Sequence, residues 1–180
     1  MGVRQPARDT PRVPAAAVSA EDADQLQRMA DRGTSIVVRL KMEAKFEPDV
    51  ESANVLGELR GRERPEELVV IGGHLDSWDV GTGASDDGAG CVVTWETLRI
   101  MKKLNMRPRR TVRLVLFTNE ENGGRGGLAY PEHHREELAW HVMLLQSDTG
   151  VVRPTGFGFI CPDQARQTAE RVRTPVSAIA

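Results

Sequence analysis

Between positions 74 and 148, the sequence repeatedly places a metal-type ligand close behind an apolar run. His74 stands in GGHLDSWDVG, Asp86 in GASDDGAG and Asp148 in LLQSDTG. The adjacent acids Glu120 and Glu121 follow the apolar run VRLVLF. Imidazole and carboxylate groups are ligands that Zn²⁺ accepts, and none of these candidates is a thiolate. The pattern therefore predicts a hydrolytic site with two metal ions at one edge of a sheet.

The loops after the first of these runs carry two pairs of candidate residues. His74 and Asp76 form a His-x-Asp pair, in which an imidazole can bind metal while the acid orients the ring or tunes the site. A lone histidine after a strand is more often a buried structural residue, so this pair gains weight from its neighbours. In GASDDGAG, small residues allow the backbone close to an ion, and Asp86 can bridge two cations. Asp87 is compatible with a different role, as the N-cap of the following helix.

Glu120 and Glu121 are adjacent acids at the end of an apolar strand, and they repel each other unless positive charge lies close. A metal ion explains the pair, because one carboxylate can coordinate it while the other faces the metal-bound water as general base. Two acids in a solvated loop would be the preferred interpretation of this pair in isolation. The other ligand-bearing loops reverse that preference.

Other chemistries find less support in the sequence. It contains no Gly-x-Ser-x-Gly motif for a serine nucleophile and no phosphate-binding P-loop. The run HHREE at 133–137 offers metal-type side chains, but a charged helix face is the commoner meaning of such a run. Metal-dependent hydrolysis remains the preferred interpretation.

The elements that must position these residues alternate along the chain. A helix from the N-cap Ser19 to near Gly33 precedes an alternating, half-exposed strand at 36–42. From Leu68 on, strands and helices alternate with short links, which predicts an α/β fold with parallel strands. Sites in such sheets form beyond the carboxyl ends of the strands. The predicted strands are 54–59, 68–73, 112–117 and 141–146, and the predicted helices are 91–104 and 128–138, the latter broken or delayed by Pro131.

Composition limits the classes of partner. The chain has 180 residues and a formal net charge of −2, which suits one domain and gives no global field for nucleic acid or anionic lipid. No stretch of the sequence approaches the length of a membrane span. The basic cluster 107–113 is interpreted as a solvated strand entry, and Cys91 and Cys161 define no disulfide framework. We therefore expect neither a nucleic-acid partner nor a membrane partner.

Three blocks of this sequence resemble motifs of the M28 family of zinc peptidases, a group of aminopeptidases and glutamate carboxypeptidases. The blocks are GGHLDSWDVGTGASDDGAG, NMRPRRTVRLVLFTNEENGG and LLQSDTGVVRPTGF. The resemblance, which runs from about Pro14 to the end, implies a three-layer α/β/α fold with a mixed, largely parallel central sheet, incomplete at both ends. Residues 1–18 are rich in proline and arginine and are expected to be poorly ordered. The resemblance assigns 19–50 to the end of a protease-associated insert and 51–180 to a partial peptidase domain.

The resemblance also implies a complete site with two Zn²⁺ ions. His74 and Asp148 would serve one zinc or the other, Asp86 would bridge both, and Glu121 would be a further ligand. A cis peptide bond between Asp86 and Asp87 is implied as well.

For catalysis, the resemblance implies Glu120 as the general base and Asp76 as a supporting acid in the hydrolysis of short peptides or dipeptides. It allows a homodimer, and it implies a secreted or lysosomal location for full-length relatives. The sequence itself contains no recognisable sorting signal.

One part of the family pattern has no counterpart in this sequence. The family takes a fifth metal ligand, a histidine, from a later segment, whereas the histidines of this chain are His74, His133, His134 and His141. The sequence is therefore expected to be a fragment or a shortened form. The alternative hypothesis is a catalytically inactive homologue that acts as a binding or interaction module. A mononuclear cyclase-type zinc enzyme is a weaker third hypothesis, because the pair Asp86–Asp87 favours two metals.

Overall fold

The structure is a computed structural model that describes residues 13–43, 45, 47–148, 158–163, 165–168 and 171. The described chain divides into two compact units, one ending at Glu51 and the other beginning at Ser52. Of the segment expected to be poorly ordered, residues 1–12 lie outside the described residues. Residues 13–18 are exposed and form neither helix nor strand.

The unit that ends at Glu51 contains one described helix, α1 (Ala20–Asp31). The Ser19 hydroxyl accepts the backbone N–H of Asp22 at 3.1 Å, and Gly33 follows the helix with a φ of 71°. Both features confirm the predicted helix boundaries. The strand predicted at 36–42 is wrong, because no described strand pairs with this segment. An alternating pattern needs a hydrogen-bonding neighbour before it becomes a strand.

Within the described residues of the second unit, one sheet contains the strands β1 (Val55–Leu59), β2 (Arg64–His74), β3 (Arg110–Phe117) and β4 (His141–Gln146). Their order in the sheet is β1-β3-β2-β4. Strand β2 runs parallel to β3 and to β4, whereas β1 is antiparallel to β3. The mixed, largely parallel sheet is thereby confirmed.

Helices pack on both faces of this sheet. Leu98 and Met101 of α2 (Ala89–Lys103) pack against a core cluster that contains Leu114. Tyr130 of α3 (Arg125–His133) packs with Val115 and Phe117 on the opposite face, because successive strand residues point to opposite sides. The three-layer α/β/α architecture is therefore confirmed.

The helix predicted at 128–138 has different bounds in the structure. The sequence pattern predicts it over 128–138, but α3 begins earlier, at Arg125, and contains Pro131 within its last turn. The chain then continues as a tighter 3₁₀ helix, Arg135–Trp140. Proline removes one backbone donor, so the break falls after Pro131 rather than delaying the start.

Parallel pairing brings the carboxyl ends of three strands to one edge. His74, the last residue of β2, pairs with Phe117 at the end of β3, and Gly72 pairs with Gln146 at the end of β4. The loops that leave these strands therefore meet at the same edge. In the described part of the chain, no helix has both the length and the apolar character to cross a membrane.

Candidate metal centre

His74 lies at the centre of the acidic residues predicted to form the site. Its side chain is 1% exposed, and its Nε2 lies 3.0 Å from Asp86 Oδ1 and 3.1 Å from Asp148 Oδ1. The potential ligand atoms of these three residues all lie within 4.8 Å of one another. Two carboxylates and one imidazole nitrogen thus converge on a volume the size of one ion.

The backbone and the side chain of Asp76 make different contacts at the site. His74 Nδ1 lies 2.9 Å from the backbone carbonyl oxygen of Asp76 and 3.6 Å from its Oδ1. The Asp76 carboxylate instead accepts the backbone N–H groups of Glu120 at 2.8 Å and Glu121 at 3.0 Å. The backbone of Asp76 therefore orients the ring, while its side chain fastens the glutamate loop beside it.

The two glutamates differ in burial. Glu121 is 9% exposed, and its Oε1 is buried without a hydrogen-bond partner among the described residues. Burial raises the pKa of Glu121, and the negative charges of Asp86 and Glu120 raise it further. The Glu120 side chain is 46% exposed, with its Oε2 4.0 Å from His74 Nε2. One acid is therefore held inside the site and the other faces its opening.

The electrostatics of the site are dominated by negative charge. Burial alone would lower the pKa of His74, but the Asp76 carbonyl and the charges of Asp148 and Asp87 outweigh burial and raise it. Within the described residues, the ion pairs formed by the site carboxylates are all with His74. A single imidazole does not balance the charge of several acids, so a cation would relieve their repulsion.

These residues fit a divalent metal ion. The donor set consists of carboxylate oxygens and one imidazole nitrogen, which are ligands of Zn²⁺. The unpartnered Glu121 Oε1 provides a buried acceptor that a cation would satisfy. Burial raises the pKa of the nearby Cys91 thiol to about 11, which disfavours the thiolate form that binds zinc.

Asp87 fixes the loop that carries Asp86. Its buried carboxylate accepts the His74 N–H at 2.9 Å and the Gly90 N–H at 3.0 Å. The second contact is the hydrogen bond expected of a capping residue, although α2 itself begins at Ala89. The peptide bond between Asp86 and Asp87 is cis, as the family resemblance implies. Asp87 thus points into the fold while Asp86 points towards His74.

Two contacts at the site were not anticipated from the sequence. Cys91 was interpreted as a small hydrophobic residue of a buried helix, and it is buried, but its thiol also donates to the His74 carbonyl at 3.0 Å. Asn54 hydrogen-bonds to both ends of the loop that carries the two glutamates. Gly90 is a partial signal for the first contact, because a Cβ there would overlap the Ser147 carbonyl just after β4, so glycine lets α2 approach the strand ends closely. Nothing in the sequence pattern marked Asn54.

Comparison with known proteins places this geometry in a family. Residues 54–179 match the family described as Peptidase family M28. The chain belongs to this family.

Curated relatives and a solved structure agree with that assignment. The chain is 45% identical to carboxypeptidase Q of Pongo abelii over 171 residues, which are 95% of this chain and 36% of that protein. It is 46% identical to carboxypeptidase Q of Rattus norvegicus over 162 residues, 90% of this chain and 34% of that protein. The crystal structure of an M28 peptidase precursor from Shewanella amazonensis SB2B covers 93% of this chain and 38% of its own, with a TM-score of 0.81 and 35% identity. The chain therefore spans about a third of the length of the curated relatives it matches.

Proposed function

We propose that this chain carries the metal centre of a zinc-dependent peptidase that hydrolyses short peptides or dipeptides, in the manner of carboxypeptidase Q. The observation that carries the proposal is the convergence of His74, Asp86 and Asp148 beside the buried, unpartnered oxygen of Glu121. Membership of peptidase family M28 supports the reaction class, and the likeness to carboxypeptidase Q supports the type of substrate.

In this proposal, four side chains hold two zinc ions. Asp86 would bridge them, as the family resemblance implies; its Oδ1 lies 3.0 Å from His74 Nε2 and its side chain is 62% exposed. His74, Asp148 and Glu121 complete the set that this chain supplies. When bound, zinc polarises the scissile carbonyl and makes a water molecule acidic enough to attack at neutral pH.

Glu120 is proposed to move the proton. Its exposed Oε2 can accept a proton from the attacking water and pass it to the leaving nitrogen of the peptide bond. The Asp76 carboxylate holds the Glu120 backbone and so limits where this side chain can reach. Asp76 therefore acts as a supporting acid that positions the base.

The alternative function is an inactive homologue that acts as a binding module. It is favoured by the places of the other histidines, of which two lie on the α3 side of the sheet. His134 Nδ1 lies 2.5 Å from Glu137 Oε1, and His141 Nε2 lies 2.9 Å from the Tyr130 hydroxyl. Among the described residues, His74 is thus the histidine that joins the candidate metal centre.

A matched pair of substitutions tests the proposed function. Glu120→Gln should reduce dipeptide hydrolysis by roughly 10²–10⁴-fold while zinc content stays near that of the wild type. Glu121→Gln should lower the zinc content itself. Equal behaviour of the two variants would contradict the separate roles of base and ligand. If the wild type binds zinc but hydrolyses no dipeptide, the result would favour the binding module. If the wild type binds no zinc, the result would contradict the proposed metal centre.

Partners and location belong to the same proposal. We expect short peptides as substrates, a homodimer as the assembly, and a secreted or lysosomal location for the whole protein. Light scattering coupled to size-exclusion chromatography measures the assembly, and a monomeric mass would contradict the homodimer.

A further inference from the structure

The loop that carries Glu120 and Glu121 is closed at its base. It leaves β3 at Thr118 and reaches α3 near Gly126, whose N–H donates to the Thr118 carbonyl at 3.0 Å. Inside the loop, the Gly124 N–H donates to the Asn119 carbonyl at 2.7 Å. The two ends of the loop therefore lie next to each other, and the glutamates project from the segment between them.

Asn54 joins these two ends from a distant part of the sequence. Its Oδ1 accepts the backbone N–H of Thr118 at 3.0 Å, and its Nδ2 donates to the carbonyl of Gly126 at 2.9 Å. One side-chain amide thus satisfies a donor on one side of the loop base and an acceptor on the other. A Cβ at Gly126 would overlap both Asn54 Oδ1 and the Thr118 carbonyl, so the close approach requires glycine there.

The segment between these two ends is held by Asp76. The Asp76 carboxylate accepts the N–H groups of Glu120 and Glu121, so the backbone of both glutamates is tied to the loop that follows His74. Asn54 fixes the base of the glutamate loop, and Asp76 fixes the segment that bears the two acids.

We infer that Asn54 is a positioning residue that sets Glu120 and Glu121 relative to His74. It touches neither a metal ligand side chain nor the reacting atoms, and it acts through the loop. Its effect on metal binding rests on the proposed function, whereas its effect on the loop does not.

Ser52 provides a matched control on the same strand entry. Its hydroxyl lies 2.8 Å from the Thr118 hydroxyl, an exposed contact between two side chains. Ser52 therefore reaches the same loop residue as Asn54 without bonding to the loop backbone. Asn54→Ala and Ser52→Ala each remove a polar side-chain group that contacts Thr118, and only the first should release the loop base.

Amide hydrogen exchange of the metal-free 180-residue chain tests the positioning directly. The Glu120 and Glu121 amides should exchange roughly tenfold faster or more in Asn54→Ala than in the wild type, because two loop hydrogen bonds are lost. Ser52→Ala should leave both rates close to wild type. Unchanged rates in Asn54→Ala, or an equal rise at the buried amides of β2, would overturn the inference. Asn54→Asp keeps the acceptor for Thr118 and loses the donor to Gly126, so it should give an intermediate rate if the alanine variant unfolds.

A cobalt(II) titration followed by visible absorption tests the consequence for the site. Asn54→Ala should weaken cobalt binding roughly tenfold, the low end of the effect of removing a group that supports a ligand. In a Glu121→Gln background, the same substitution should cost much less, because the ligand that Asn54 positions is gone. An undiminished cost in that background would show that Asn54 acts by general stabilisation, which overturns the inference. If the wild type binds no cobalt while the exchange result holds, the proposed function fails and the positioning of the loop stands.

Discussion

Two clusters of charged residues lie in the same unit of this chain, and they differ in whether a basic side chain accompanies the acids. At the carboxyl edge of the sheet, acids gather around His74 without a lysine or arginine partner among the described residues. On the α3 face, Arg113 is 7% exposed and has Glu58 and Glu137 as ion-pair partners. Within the described residues, the first cluster has only the His74 imidazole to offset several acids, whereas the second contains an arginine.

The Arg113 cluster corrects one sequence-based prediction. The basic run 107–113 was interpreted as solvated, but the Arg113 guanidinium is buried, with Nε 2.6 Å from Glu58 Oε1 and Nη1 2.8 Å from the Tyr130 hydroxyl. Burial alone would lower the pKa of Arg113, yet its hydrogen bonds to Glu137, Tyr130 and Glu58 outweigh burial and raise it. An arginine at an inward-facing strand position is retained because its partners neutralise it.

The contrast appears in two glutamates of the same chemical type. Hydrogen bonding from Arg113 lowers the pKa of Glu137, whereas burial raises the pKa of Glu121, which has Asp86 and Glu120 beside it. A balanced cluster stabilises the ionised form of its acids, and an unbalanced cluster opposes it. We interpret the excess of negative charge around His74 as an indication of a cation-binding site.

Removing the arginine should have the largest effect on stability. Arg113→Met leaves two carboxylates without their partner and should lower the free energy of unfolding by about 3 kcal/mol, the low end for a broken buried pair because both acids are partly exposed. Urea denaturation measures this loss. Arg109→Met is the control, since its pair with Glu63 is exposed and should contribute about 0.5 kcal/mol or less. Equal losses in the two variants would remove the distinction between a balanced buried cluster and an ordinary surface pair.

Zinc should stabilise the chain through the unbalanced cluster alone. At a free zinc concentration of 100 times the dissociation constant, the free energy of unfolding should rise by about 2.7 kcal/mol. Asp86→Asn should lose most of this gain, whereas Arg109→Met should keep it. Thermal or urea unfolding with zinc and with a chelator measures the difference. The interpretation of the acidic edge fails if zinc stabilises Asp86→Asn as much as the wild type.

Neutralising one glutamate in each cluster should change stability with opposite signs. In the metal-free chain, Glu121→Gln should raise the free energy of unfolding by on the order of 1 kcal/mol, because it removes a buried charge that has no partner. Glu137→Gln should lower it by about 1 kcal/mol, because it weakens a charged hydrogen bond of a partly exposed acid. Denaturation of both variants in the presence of a chelator gives the two signs. Destabilisation by both substitutions would contradict the contrast between the clusters.

Low pH should reduce the contribution of the Arg113 cluster to the free energy of unfolding, by less than the substitutions above. Because the pKa of Glu137 is lowered in the folded chain, its contribution is complete above the ordinary carboxyl pKa of 4.5 and is lost as the pH falls through the lowered value. The difference in unfolding free energy between wild type and Glu137→Gln should therefore shrink as the pH falls below 4.5. A difference that grows in acid would have the wrong sign for this account.

The sequence was informative where a pattern is local. The cap at Ser19, the buried run ending at His74 and the apolar runs of β3 and β4 predicted their elements because spacing along the chain sets the face that each residue presents. The strand expected at 36–42 is absent because alternation does not reveal whether a neighbouring strand exists. The start of helix α3 was predicted too late because its first turn contains two glycines, which have a low helix propensity.

At the candidate site, too, local features were predictable from the sequence and contacts between distant residues were not. Residue types identified the potential ligands, since imidazole and carboxylate chemistry is readable from each loop by itself. The contacts that arrange them were not readable, because Asn54 is 72 residues from Gly126 and Asp76 is 44 residues from Glu120. Likewise, the buried place of Arg113 depends on Glu58 and Glu137, which are brought to it by the fold. Distant pairing is what the sequence pattern leaves undetermined.

X-ray absorption at the zinc edge of the zinc-loaded chain tests the central claim most directly. The account predicts nitrogen and oxygen neighbours at about 2.0–2.2 Å and no sulfur near 2.3 Å. It further predicts that Asp86→Asn alters this spectrum and that Arg109→Met leaves it unchanged. A sulfur neighbour from Cys91 or Cys161, or a spectrum that is identical in wild type and Asp86→Asn, would show that zinc binds elsewhere and that the acidic edge is not the metal centre.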